Sequence, residues 1–102
     1  MRTGSDPVLE TGATRRVGRP LVAELLRAGV RVRAFTRRPA TAGLPATVEV
    51  VAGDLAVPES LDAVLQGVGA VFLLWTASQD TAPAVVERLA FHARRSHRCV
   101  RE

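Results

Sequence analysis

A chain of 102 residues with a net charge of +4, one cysteine and neither lysine nor tyrosine has room for one small domain. Cys99 alone excludes an internal disulfide, and the longest apolar run, Ala70 to Trp75, is far short of the roughly 20 residues that cross a bilayer. Without tyrosine and lysine, no mechanism built on a Tyr–Lys acid/base pair can run on this chain.

The basic balance comes entirely from arginine, and only Arg94, Arg95, Arg98 and Arg101 cluster. With few aromatics to stack on bases, this reads as an arginine bias in coding rather than a nucleic-acid surface. Residues 1–7 lack the apolar core of a signal peptide and read as a disordered extension of a soluble, cytoplasmic protein. Val8-Leu9-Glu10-Thr11 reads as a first strand. A parallel strand covered on both faces is expected to be nearly all apolar, so Glu10 must either meet an arginine or lie at an exposed strand end.

Thr11-Gly12-Ala13-Thr14-Arg15-Arg16-Val17-Gly18 follows, and the rest of the chain is organised around it. Val17, Leu21, Val22, Leu25 and Leu26 then recur at helical spacing, with Pro20 in the first turn and Gly29 just past the end. Strand, glycine turn and helix is the context of a phosphate-binding turn. The helix N-terminus offers unpaired N–H groups, and the glycines are expected to supply positive φ and close approach of backbone to ligand.

Val30 to Phe35 is a second strand, closed by Thr36-Arg37-Arg38-Pro39. A loop with Gly43 and Pro45 leads to a third strand, Val48 to Ala52, and the turn Gly53-Asp54-Leu55. Pro58 opens a helix with apolar Leu61, Val64, Leu65 and Val68, and Val57 stands at the N-cap where an oxygen-bearing side chain is usual. Val71 to Trp75 is a fourth, wholly apolar strand. Asp80 or Thr81 caps a last helix, with Pro83 in its first turn and Val85, Val86, Leu89 and Ala93 on one face. The pattern fails after Arg95, leaving a basic tail over 96–102. His92, His97 and Cys99 match no metal-ligand spacing, and Ser78 and Thr76 have no base near them in sequence.

These elements predict an α/β fold: a Rossmann-like, doubly wound parallel sheet with four strands in order 3-2-1-4, helices on both faces and no fifth strand. The domain spans residues 8–95. The fourth strand becomes an apolar edge open to self-association.

Thr11-Gly12-Ala13-Thr14 with Val17-Gly18-Arg19-Pro20, then Arg33 to Pro39, then Gly53-Asp54-Leu55 occur in an order and spacing that resemble the N-terminal half of NmrA-like NAD(P)-binding proteins, a group of atypical short-chain dehydrogenase/reductases. The resemblance runs from about Val8 to Arg95. It implies a dinucleotide laid across the C-terminal ends of the strands. By position, Gly12, Thr14, Arg15, Arg16, Val17 and Gly18 would line the pyrophosphate turn, Asp54 and Leu55 would touch adenine, and Thr76 and Ala77 would lie beside the adenosine ribose. Arg37, with Arg38 beside it, stands where NAD-preferring relatives carry an acid, which implies NADP rather than NAD.

The chain departs from the family at Arg15, where the family has glycine, at Glu10, where its strand is apolar, and at Val57, commonly aspartate. Family members are also much longer, so the resemblance implies a truncated cofactor-binding half without independent catalysis. A non-catalytic NADP-sensing module and an inactive remnant stand beside that reading. Asp54 is open to two roles, adenine contact and turn-making. Trp75 reads as core or interface.

Overall fold

The structure, a computed structural model, describes residues 6–14, 16–75, 77 and 79–96, with side chains as far as residue 93. Four strands, β1 (Val8–Glu10), β2 (Val32–Thr36), β3 (Glu49–Ala52) and β4 (Ala70–Phe72), pair in parallel in the order β3-β2-β1-β4. This is the expected Rossmann-like order, with β4 at an edge. Helix α1 (Gly18–Arg27) joins β1 to β2, a single turn α2 (Leu61–Val64) lies between β3 and β4, and α3 (Ala82–Ser96) follows β4.

The alternation of side chains along the strands divides the core in two. On one face Leu9 and Phe35 pack with Leu55, Leu61, Val64, Leu65, Val68 and Val85, so α2 and α3 cover that side. On the other, Val32 and Ala34 pack with Val22 of α1, Ala13 and Val48. Residues two apart on a strand share a face, so the switch between Leu9 and Glu10, or Ala34 and Phe35, assigns each to its own helix layer. Phe72 (42% exposed) and Leu73 (38% exposed) lie on and just beyond the edge strand.

Several boundaries differ from expectation, each for a physical reason. β4 ends at Phe72 rather than Trp75. Beyond it the Thr11 hydroxyl donates to the Leu74 carbonyl (3.0 Å) and accepts from the Leu74 N–H (2.8 Å), so a side chain continues the pairing that the backbone stops making. The helix expected from Pro58 to Val68 is a 3-10 turn, Pro58–Ser60, and one α-turn. Arg33 Nη1 takes the carbonyls of Val64 and Gln66, both at 2.7 Å, while its Nε pairs with Glu49 at 2.9 Å. A strand guanidinium thus holds the carbonyls that a longer helix would have bonded internally. Val57 does stand at an N-cap, without a side-chain hydrogen bond.

Helix α1 ends as its glycine predicts: Gly29 N–H reaches Leu26 O, and Val30 N–H reaches Leu25 O. On α3 the inward line is the buried Val85 with the half-buried Leu89 and His92, whose Nε2 lies 2.9 Å from Val68 O. Val86 (55% exposed) and Ala93 lie off that line and face solvent, correcting the expected apolar face. Thr81, the residue before α3, donates its hydroxyl to Leu55 O at 2.9 Å.

Candidate functional site

The C-terminal ends of β1, β2 and β3 open into one cleft of about 520 Å³. Thr11 and Thr14 border it from the turn after β1. Phe35, Thr36, Arg37 and Arg38 come from the end of β2, Thr41 from the 3-10 turn Pro39–Thr41, and Gly53 to Ala56 from the turn after β3. Ala77 closes it from the segment after β4. Crevices at the carboxyl ends of parallel strands form because the chain leaves the sheet there in opposite directions, so loops rather than helices meet.

Of the residues expected at a site, Thr14, Arg37, Arg38, Asp54, Leu55 and Ala77 converge on this cleft. Arg15 and Thr76 lie outside the described residues. Arg16 and Val17 are exposed on the turn and do not line the cleft. Gly12 and Gly18 are buried, and their geometry corrects the expectation of positive φ, which among the described glycines belongs to Gly29, Gly43 and Gly67. A Cβ on Gly18 would collide with the Gly12 carbonyl, and one on Gly12 would fall 2.5 Å from Leu74 Cδ2. Their role is steric: the first turn of α1 lies directly on the end of β1, which brings the helix N-terminus to the mouth of the sheet. That terminus carries no acidic side chain in its first turn and no side-chain cap.

The end of β2 is shaped locally. The Thr36 hydroxyl accepts from Arg38 N–H (3.2 Å), and the Thr41 N–H and hydroxyl both donate to Arg38 O. This turns the chain so that Arg37 and Arg38 stay exposed beside the cleft, and among the described residues neither guanidinium has an anionic partner. Across the cleft, Asp54 Oδ1 accepts from Ala56 N–H at 2.8 Å, and Ser60 Oγ bonds both Asp54 N–H and Asp54 O. Asp54 is therefore a turn-maker that also borders the cleft. Thr11, Phe35, Thr36, Thr41 and Ala56 were not singled out from the sequence. The hydroxyls two and three residues from Arg38 were the available signal, since such spacing favours local side-chain to backbone bonds.

Glu10 is not an exposed strand end, and it meets no arginine among the described residues. It is 0% exposed, and neither carboxylate oxygen has a hydrogen-bond partner among the described residues. Burial raises its pKa from 4.5 to about 7. It sits one residue before the turn, beside Ala34 on β2 and Phe72 on β4. Trp75 is half-buried against the larger core cluster.

The cleft therefore offers two cations unpaired among the described residues, several hydroxyls, an apolar wall from Phe35 and Leu55, and a helix N-terminus nearby. That is chemistry for holding an anionic, partly flat ligand; histidine, cysteine and glutamate are absent from the lining. Among the described residues no cluster of His, Cys, Asp and Glu could hold a metal ion, and no helix is long and apolar enough to cross a membrane.

The sequence pattern of NAD(P)H-binding proteins matches residues 12–98. No curated protein matches the chain. Among solved structures, a Rossmann-fold NAD(P)-binding family protein from Shigella flexneri is similar at a TM-score of 0.70 and 23% identity, over 84% of this chain and 46% of that one. A wide-type short-chain dehydrogenase/reductase from Veillonella parvula, solved in complex with NADP, is similar at 0.72 and 20% identity, over 85% and 43%. A short-chain dehydrogenase/reductase superfamily protein from Agrobacterium tumefaciens with bound NAD is similar at 0.52 and 29% identity, over 90% and 28%. The chain spans less than half the length of these structures. The first two likenesses are of fold.

Proposed function

This chain belongs to the NAD(P)H-binding family, and from that premise we propose that its cleft holds NADP in preference to NAD, in the manner of NmrA-like proteins and without turnover of its own. The observation that carries the cofactor preference is the pair Arg37 and Arg38, exposed at the end of β2 with no anion beside them among the described residues. A 2′-phosphate supplies that anion, whereas an NAD ribose leaves both guanidinium groups unmatched. The Veillonella structure was solved with NADP and the Agrobacterium structure with NAD, so the preference rests on the two arginines.

In this reading the pyrophosphate rests on the turn from Gly12 to Gly18, with Thr14, Arg15 and Arg16 around it and the N–H groups of α1 beyond. Asp54 and Leu55 flank the adenine, and Thr76 and Ala77 lie toward the adenosine ribose. When bound, the dinucleotide supplies hydride chemistry at its nicotinamide. This chain's residues bind and orient it, and no Tyr–Lys pair is present to move a proton.

Titration calorimetry with NADPH and NADH tests the proposal. The wild-type chain is expected to favour NADPH. Arg37→Asp is expected to lower NADPH affinity by roughly 10- to 100-fold, the worth of one charge-assisted contact, while sparing NADH. An unchanged preference removes Arg37 from the site. A folded chain that binds neither dinucleotide favours the inactive remnant instead.

A further inference from the structure

Arg19 is the second residue of α1, and its guanidinium reaches two segments that border the cleft from opposite sides. Nε donates to Thr14 O at 3.3 Å, in the turn after β1. Nη1 donates to Gly43 O at 3.3 Å and Nη2 to Ala42 O at 2.8 Å, just beyond the turn that carries Thr41. Among the described residues, these are the hydrogen bonds that join the loop after β2 to the glycine turn and α1. Gly43 adopts φ +65°, and the buried Ala42 anchors the loop beside it.

We propose that Arg19 is a positioning residue that fixes the Arg37–Thr41 segment against the Thr11–Val17 turn, setting the separation between the 2′-phosphate and pyrophosphate ends of the site. The inference rests on the dinucleotide reading above. Only a planar fork of donors reaches three carbonyls on two segments at once; a lysine ammonium is a single point on a flexible stem. The acceptors are neutral carbonyls, so Arg19 keeps its positive charge beside the turn. Because Arg19 lies near the surface, the three carbonyls find water when it is removed, so the loss falls on the ordering of the loop rather than on the fold.

Without Arg19, ligand binding must itself order the Pro39–Thr41 turn, and affinity falls accordingly. Two comparisons test this in the full chain. Without ligand, amide exchange at Thr41 and Ala42, whose N–H groups bond Arg38 O and Pro39 O, is expected to accelerate in Arg19→Ala, with the thermal midpoint nearly unchanged. With NADPH, the Kd of Arg19→Ala is expected to rise roughly tenfold, and Arg19→Lys is expected to recover little of it. Unchanged exchange at Thr41 and Ala42 overturns the pinning role, and faster exchange with unchanged NADPH affinity overturns the positioning role. A wild-type chain that binds no dinucleotide overturns the site reading itself, an outcome kept separate because the exchange comparison uses no ligand.

Discussion

Glu10 makes the stability of this fold depend on pH in a direction opposite to that of most carboxylates. Its side chain is fully buried on β1 with both oxygens unpartnered among the described residues, and burial holds its pKa at about 7 against 4.5 in the unfolded chain. Below pH 4.5 both states carry the proton and Glu10 contributes no pH dependence. As pH rises from 4.5 toward 7 the unfolded chain releases its proton while the folded chain keeps it, so stability falls. Above pH 7 the folded state ionises as well, and the curve flattens about 3 kcal/mol below its acid value. That is a large share of the roughly 5–15 kcal/mol that stabilises a small domain. Glu10→Met keeps the volume and removes both the proton and the polar atoms. Urea unfolding followed by circular dichroism between pH 5 and 8.5 is expected to show the wild type losing about 2.5 kcal/mol relative to Glu10→Met over that range. Taking the difference between the two proteins cancels the other titrating groups, which they share. Parallel pH curves for the two proteins would refute the reasoning, because Glu10 would then have the same proton affinity folded and unfolded.

The remaining predictions concern the turn after β1. Gly18→Ala places a Cβ on the Gly12 carbonyl oxygen and must push α1 off the sheet; it is expected to destabilise the fold by roughly 2–4 kcal/mol in urea unfolding. Thr11→Val keeps the shape but leaves the Leu74 N–H and carbonyl without the hydroxyl that joins them to β1. A loss of about 1–3 kcal/mol by the same measurement is expected, and wild-type stability would show that water replaces the hydroxyl without cost.

The order of strands and the location of the cleft were legible because they rest on local chemistry. Val32 and Ala34 alternate with Arg33 and Phe35, the two glycines bracket a turn between strand and helix, and Gly29 ends α1; each follows from residue type and spacing. The reason for Gly12 and Gly18 was not legible. Positive φ and close packing both select glycine, and only the position of α1 over β1 shows that packing is what excludes a Cβ here. The short α2 was hidden for a similar reason: the residue that takes its carbonyls, Arg33, is more than thirty positions away. Asp54, open between two roles in sequence, both makes its turn and borders the cleft.

By itself the sequence determined the fold class, the order of elements and the segments that meet at the strand ends, since hydrophobic period and turn chemistry act between near neighbours. Tertiary structure alone decided that Glu10 is sealed with no partner among the described residues, that Thr11 extends the pairing of β1 with β4, and that Arg19 bridges two loops. Those outcomes depend on which distant groups come within about 3 Å of one another, a relation that exists only after the chain has closed on itself.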